Sequence, residues 1–392
     1  MKRVNIIWTI ILLMMAGCGG NRKSGNDSDT FITVDVTASY PQKELILQDF
    51  MDVEYVPLET SREFLCQGFV QAIGKNIIIV KNNVRDGDIF IFDRNGKGLR
   101  KINRIGQGGE EYTFILGITL DEDNNEIFVN DHYIKKILVY DLYGKFKRAI
   151  RYQEGSSFTK ILNYDNDNLI CYDSSADWEA ANKPSQVIIS KQDGSVVKEI
   201  KIPFDKAVST ILKFSDPANN MTYSSNYPFP PMIPYQGGWI LVVSSSDTVF
   251  RYSPDQSMTP FIVRTPSIQS MNPEVFLYPG TLSEQYYFME SVKKEYNFET
   301  RRGFPTRNLM YDKQEKAIFE YLVYNDDYSN KRPVGMVRQH VINNEIAFWQ
   351  KLEADHLFEA HEKEQLKGKL KEIAAKLEEE DNPVIMLVKY KK

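Results

Sequence analysis

The sequence predicts an all-β chain folded as a six-bladed β-propeller, with an amphipathic helix inserted in the last blade. The first observation is self-similarity. Ile89 to Lys97 reads IFIFDRNGK and Ile137 to Lys145 reads ILVYDLYGK, with Gly96 and Gly144 standing 48 residues apart. A weaker copy, QVIISKQDG, ends at Gly194, and later echoes are DTVFRYSPD (247–255) and RNLMYDKQE (307–315). Each is an apolar run followed by a polar turn, most often rich in Asp, Asn or Gly, as expected of a strand feeding a hairpin. The second observation is a short strand upstream of each copy. These strands read KNIIIV (75–80), EIFVND (126–131), NLICYD (168–173), GWILVV (238–243) and QYYFME (285–290), and a sixth is EIAFWQ (345–350). The third is the period. Strands and turns repeating every 40–50 residues or so are the signature of a propeller blade, and four strands per blade over about 360 residues make six blades. Two packed sheets of a sandwich would leave that period unexplained.

The elements follow in chain order. Lys2 and Arg3 precede an apolar run from Val4 to Met15, then Ala16-Gly17-Cys18. A basic start, a short apolar stretch and small residues before a cleavage point read as a secretory signal over 1–17. The run is too short to span a bilayer, which needs roughly 20 residues. Met15-Ala16-Gly17-Cys18 resembles the lipobox of bacterial lipoproteins, which implies cleavage before Cys18 and acylation of that residue. Acyl chains would hold the protein on a membrane without a spanning helix. Gly19 is not the aspartate of inner-membrane retention, and no acidic run follows the cysteine. The resemblance therefore points to an outer-membrane lipoprotein of the cell envelope, facing the periplasm. Residues 18–30, with the polar stretch NRKSGNDSDT, read as a flexible tether, and 31–392 as the propeller.

Arg100 to Tyr112, RKINRIGQGGEEY, poses a choice between a phosphate-cradling loop and a turn. A phosphate loop needs a helix after the glycines, with its N-terminus facing the anion. Here Glu110, Glu111 and a β-rich segment follow, with no Lys-Ser/Thr pair. GQGG reads as a blade-to-blade turn.

Three stretches carry a family resemblance: Phe92 to Gly96, then Gly106-Gln107-Gly108-Gly109-Glu110, then Ile127 to Asp131 with Tyr140-Asp141. They look like NHL-type propeller repeats. With Cys18, Val56-Pro57-Leu58-Glu59 and Asn382-Pro383-Val384, the chain as a whole resembles the six-bladed β-propeller lipoproteins of gut Gram-negative bacteria. That family is defined by architecture, so the resemblance implies the fold and the anchor and carries no activity.

Near the C-terminus, Lys351 to Glu380 breaks the β pattern. Leu366, Leu370, Ile373 and Leu377 share one helical face, which predicts a helix packed on the last blade. Asn382-Pro383 ends it, and VIMLVKY (384–390) returns to strand. The early strand FITVDV (31–36) is expected to pair with that final strand and so close the ring, because a closed ring leaves no exposed sheet edge.

The chemistry-bearing residues are sparse. With 48 Lys and Arg against 53 Asp and Glu, the net charge is −5, which argues against nucleic-acid partners. Cys66 and Cys171 read as two buried thiols, with a disulfide as the alternative. The four histidines, His132, His340, His356 and His361, show no metal-ligand spacing, and no cofactor motif is present. DEDNNE (121–126) reads as a hairpin turn, with calcium ligation by Asp121, Asp123 and Asn125 as the alternative. Tyr223, Tyr227, Phe229, Tyr235 and Trp239 stand among prolines and suit either stacking on a ligand or packing between blades. Arg301, Arg302 and Arg307 would meet a carboxylate or phosphate, or bridge blades. The chain thus reads as a lipid-anchored binding or protein-interaction module, its partner a glycan, a peptide or an envelope protein. The rival reading is a hydrolase or lyase acting on glycan or peptide at the channel mouth.

Overall fold

The computed structural model describes residues 31–83, 85–177, 183–217, 219–337, 343 and 345–391. Residues 1–30, where the leader, the tether and Cys18 are expected, and His340 lie outside the described residues. The chain forms a six-bladed β-propeller. Blades one to three are four-stranded meanders. Blade one runs Phe69–Ile73, Ile77–Lys81, Asp88–Asp93 and Gly98–Asn103, and blade two runs Gly117–Asp121, Glu126–Asp131, Lys136–Asp141 and Phe146–Arg151. Blade three runs Phe158–Asn163, Asn168–Asp173, Gln186–Ser190 and Val196–Ile200.

The middle strands read as unbroken apolar runs because each blade is covered on both faces. In blade one, Ile77, Ile79, Ile89 and Ile91 pack towards blade two. Ile78, Val80, Phe90 and Phe92, on the other face, pack towards blade six. Outer strands such as Gly98–Asn103 alternate between covered and exposed positions, with Ile102 buried, since one face lies against solvent.

The repeated turn after the third strand has a local cause. Asp93 Oδ1 accepts the N–H groups of Asn95 and Lys97 at 2.8 and 2.9 Å, and Asp141 Oδ1 accepts those of Tyr143 and Lys145 at the same distances. Such Asx turns take a glycine at positive φ, which is +86° at Gly96. Blade twist tips these turns onto the preceding blade's outer strand. A Cβ on Gly96 would stand 2.0 Å from the Pro57 carbonyl oxygen.

Blades four and five each carry a fifth strand from the N-terminus. Blade four is Met232–Tyr235, Gly238–Leu241, Thr248–Tyr252 and Met258–Thr265, with Ile32–Asp35 added in parallel to the last. Blade five is Val275–Leu282, Tyr286–Lys293, Thr306–Asp312 and Ala317–Asn325, with Gln42–Ile46 added in parallel. Blade six joins the two ends of the chain: Ile346–Leu352 and Val384–Tyr390 come from the C-terminal part and Met51–Pro57 from the N-terminal part. The expectation that 31–36 would pair with 384–390 is therefore corrected. Met51–Pro57 closes the ring, and the first strand straps the rim of blade four. The strap runs along the blade edges, so two further strands are covered before the chain reaches its closing position.

The insertion in the last blade is helical, but as two helices, Ala354–Glu362 and Gly368–Ala374, where one was expected. Gly368 has φ +51°, and Leu366 bridges Tyr328; the chain turns there instead of continuing the helix. Leu357, Leu366 and Leu370 are buried on the core. Cys66 and Cys171 are free, buried thiols. Among the described residues no helix is long and apolar enough to cross a membrane.

GQGG lies between blade one and blade two. Gly108 N–H donates to the Glu111 carboxylate at 2.8 Å, and Gly106 N–H donates to the Tyr112 carbonyl at 3.0 Å. The loop is closed by its own carboxylate, in agreement with the turn reading.

Candidate functional site

In an up-and-down blade the turns between first and second strands share one end of the channel. The loops between second and third strands, and the links between blades, share the other. A cavity of about 600 Å³ opens at the first end. Its wall is built from the innermost strands of blades one to three, Phe69–Ile73, Gly117–Asp121 and Phe158–Asn163, with the turns that follow them. Gly237, Gly238 and Trp239 of blade four and Asn343 and Glu345 of blade six complete the rim.

Side-chain bonds lock the blade-two and blade-three walls together. Thr119 Oγ1 donates to the Ile161 carbonyl at 2.7 Å, buried Asn130 Nδ2 donates to the Phe158 carbonyl at 3.0 Å, and Asn163 Nδ2 donates to the Leu120 carbonyl. The wall is thus preorganised, with the polar groups on strands and not on long loops.

Three of the carboxylates at the rim, Asp121, Glu122 and Asp123, are already engaged. Asp121 accepts from Lys191 Nζ at 2.6 Å, and Lys191 also donates to the carbonyls of Asp165 and Asn166. Glu122 accepts the N–H groups of Lys75 and Asn76 from the neighbouring turn, and Asp123 pairs with Lys75 Nζ at 2.6 Å. DEDNNE is accordingly a hairpin turn that fastens blade two to blades one and three. Among the described residues no group of three His, Cys, Asp or Glu is arranged to hold a metal ion. The aromatic part of the wall is Tyr164 against Trp239, stacked with ring centroids 6.4 Å apart and planes 17° apart. Lys160, on the blade-three wall, is half-buried at the edge of the cavity, and desolvation lowers its pKa from the usual lysine value.

The structure separates the residues singled out from the sequence. Trp239 lines the cavity. Tyr235, four residues earlier, is buried and hydrogen-bonded to Tyr287 Oη at 2.8 Å. Tyr227 and Phe229 lie at the opposite end, stacked on Tyr278 of blade five's innermost strand with planes 3° and 10° apart. Tyr227 also donates to Glu290. Tyr223 is exposed on a projecting hairpin, Ile211–Asp216 with Met221–Asn226. Arg301 and Arg302 are exposed in the loop between second and third strands of blade five, also at the opposite end. The hairpin meets this loop where Phe214 stacks on Phe298 at 5.5 Å. Arg307 ties the N-terminal strap to blade five, bonding Glu320 at 2.5 Å and the Ala38 carbonyl at 2.8 Å. The proline-aromatic segment thus spans both ends of the channel, because it includes the whole first strand of blade four.

Lys160, Asn163 and Tyr164 were not singled out from the sequence. FTKILNYD does hold a signal, a lysine in the middle of a strand beside Ile161 and Leu162, but only the folded blade makes that strand innermost.

Comparisons with known proteins accord with this architecture. A family model described as a domain of unknown function, DUF4934, matches residues 31–389. An exported protein from Bacteroides fragilis NCTC 9343 has a similar structure, with TM-score 0.57 and 14% identity, covering 93% of this chain and 99% of that one. A member of the DUF4221 family from Bacteroides vulgatus has TM-score 0.43 and 10% identity, covering 88% and 98%. At these identities the first likeness shows the fold alone. No curated protein matches the chain.

Proposed function

The chain belongs to the DUF4934 family, and on that premise we propose that it is a lipid-anchored binding module of the cell envelope that takes a small ligand into its channel. The observation that carries this reading is the cavity itself. Its size lies within the range of small-molecule sites, one wall is a stacked aromatic pair, and the nearby carboxylates Asp121, Glu122 and Asp123 are held by other groups. An aromatic wall suits the flat face of a sugar ring. The rival hydrolase or lyase needs a carboxylate free to move a proton. With three of the rim acids fastened to lysines or backbone, binding is favoured over turnover.

The envelope location is supported by the leader, by the lipobox-like Met15-Ala16-Gly17-Cys18 and by the likeness to an exported protein. Cys18→Ala is expected to shift the protein from the membrane to the soluble fraction. An unchanged distribution would remove the lipid anchor from the proposal.

The ligand reading is tested by calorimetry on the full chain in detergent, with a panel of oligosaccharides and peptides. Saturable binding is expected, weakened at least tenfold by Tyr164→Leu, with the ligand recovered intact. Recovery of cleaved product would favour the enzyme instead. A separate protein contact is favoured by the exposed Phe214, Met221 and Tyr223 on the projecting hairpin. If no small ligand binds, cross-linking from that hairpin in cells is the measurement that follows.

A further inference from the structure

Among the described residues, two lysines line the cavity. Lys75 sits at the rim and is bonded to Asp123. Lys160 sits deeper, in the middle of Phe158–Asn163, beside Tyr172 of the next strand. Three residues of extended chain, roughly 10 Å, separate it from the rim end of its strand. It has no hydrogen bond or ion pair with any described residue, and desolvation is the cause that lowers its pKa, with no acid acting against it. Its side chain is only half-buried by direct exposure because it borders the cavity. Lys191 shows the contrast. That side chain is 3% exposed, yet Asp121 and two carbonyls surround its ammonium. An ammonium partly withdrawn from water, with no partner among the described residues, is left under-solvated, and a bound carboxylate would supply a strong charge-assisted hydrogen bond.

A second unmet group stands on the same strand. Asn163 directs its Nδ2 to the Leu120 carbonyl, and its Oδ1 is buried without a partner among the described residues. That oxygen is closed to solvent as it stands, and a hydroxyl or N–H of a ligand meets it once the amide turns towards the cavity. The third feature is the Tyr164–Trp239 stack next in sequence and across the rim.

Resting on the ligand-binding reading above, we infer that the cavity takes a sugar acid. Its ring lies against Tyr164 and Trp239, its carboxylate meets Lys160, and a hydroxyl donates to Asn163 Oδ1. The three features together select this class. A neutral sugar leaves Lys160 unexplained, and a bare phosphate leaves the rings unexplained. Asp121, Glu122 and Asp123 do not oppose an anion, because Lys191, two backbone N–H groups and Lys75 already offset them. Among the described residues Glu345 is the rim acid left without such a partner, and it lies on the far side, on blade six.

The experiment compares the dimers of galacturonic and glucuronic acid with the corresponding neutral dimers, by calorimetry on the full chain in detergent. At least one acid dimer is expected to bind tenfold or more tightly than its neutral counterpart. Lys160→Met keeps the aliphatic stem and is expected to abolish that preference while leaving the circular dichroism spectrum unchanged. Lys160→Arg is expected to retain the preference. The preference should also fade as pH rises through the lowered pKa of Lys160. Equal affinity for acid and neutral dimers, or a preference that survives Lys160→Met, would overturn the sugar-acid inference and leave the ligand-binding reading standing. If peptides from the panel bind and no sugar does, the inference falls alone; if nothing on the panel binds, both fall.

Discussion

At the scale of single residues, buried charge in this propeller is held in place by multiple partners. Glu126, on the second strand of blade two, is 6% exposed. Arg148 meets it in a bidentate pair at 2.8 and 2.7 Å, and Lys147 adds a contact at 2.5 Å. Arg148 also donates to the Lys191 carbonyl on blade three. The hydrogen bonds from Arg148, opposed by desolvation and aided by Lys147, bring the Glu126 pKa down to about 2 from an ordinary 4.5. Because the folded value is depressed, the stabilisation is present above pH 4.5 and is lost as pH falls towards 2. Glu126→Gln is expected to cost about 2 kcal/mol at neutral pH, less than the full shift implies because Lys147 is partly exposed. The same variant should flatten the acid limb of the stability profile between pH 4.5 and 2, as read by urea unfolding. An unchanged acid limb would show that the pair does not couple folding to pH. None of this was legible in the sequence, where Glu126 looks like the polar start of a strand. The pairing depends on Arg148 being two strands away.

At the scale of elements, the repeat is legible because the same local problem recurs. Each middle strand is apolar throughout since both of its faces are covered. In blades one and two the following turn is then built by an Asp side chain and a glycine. Gly96 illustrates the constraint. Its φ is +86°, and a Cβ would collide with the backbone of Pro57 on blade six. Gly96→Ala is expected to destabilise the fold by about 2–4 kcal/mol, combining conformational strain with a clash against backbone that cannot swing aside. Gly109→Ala, in GQGG, is the control. Nothing lies within 4 Å of its added Cβ, and a change of no more than about 0.5 kcal/mol is expected. Similar effects at both sites in thermal unfolding would refute the distinction. The helical insertion was legible as an apolar face, but its break was not. Gly368 reads as a mild weakening of one helix, whereas it opens a second helix after a turn that Tyr328 and Asp327 hold.

At the scale of the whole molecule, stability depends on joining the two ends of the chain. Met51–Pro57 pairs with Val384–Tyr390 over seven residue pairs. Asn382, 1% exposed, reinforces the seam. Its Oδ1 accepts the Cys66 N–H at 2.8 Å, and its Nδ2 donates to the carbonyls of Glu59, at 2.7 Å, and Phe64. Its own N–H donates to Thr60 Oγ1 at 2.8 Å. Asn382→Leu, close in size, leaves one buried N–H and two carbonyls without partners. A loss of about 3 kcal/mol is expected, since each stranded group costs roughly 1–3 kcal/mol. Limited proteolysis should then cut first between residues 58 and 68. Cleavage starting elsewhere, at unchanged stability, would mean that the seam is held by strand pairing alone.

The sequence by itself determined the fold class, the blade count, the helical character of the insertion and the turn nature of GQGG. These follow from local causes: covered strands are apolar, Asp and Gly make the turn, and a β segment after GQGG leaves no helix to face a phosphate. The tertiary structure alone decided which strand closes the ring. It also decided which residues share the cavity. Lys160, Asn163, Tyr164 and Trp239 are brought together by circular closure across blades three and four, while Tyr227 and Trp239, only twelve residues apart, are sent to opposite ends of the channel. A strand reverses the side and end that each residue reaches within a few positions, so neighbours in sequence are a poor guide to neighbours in the site.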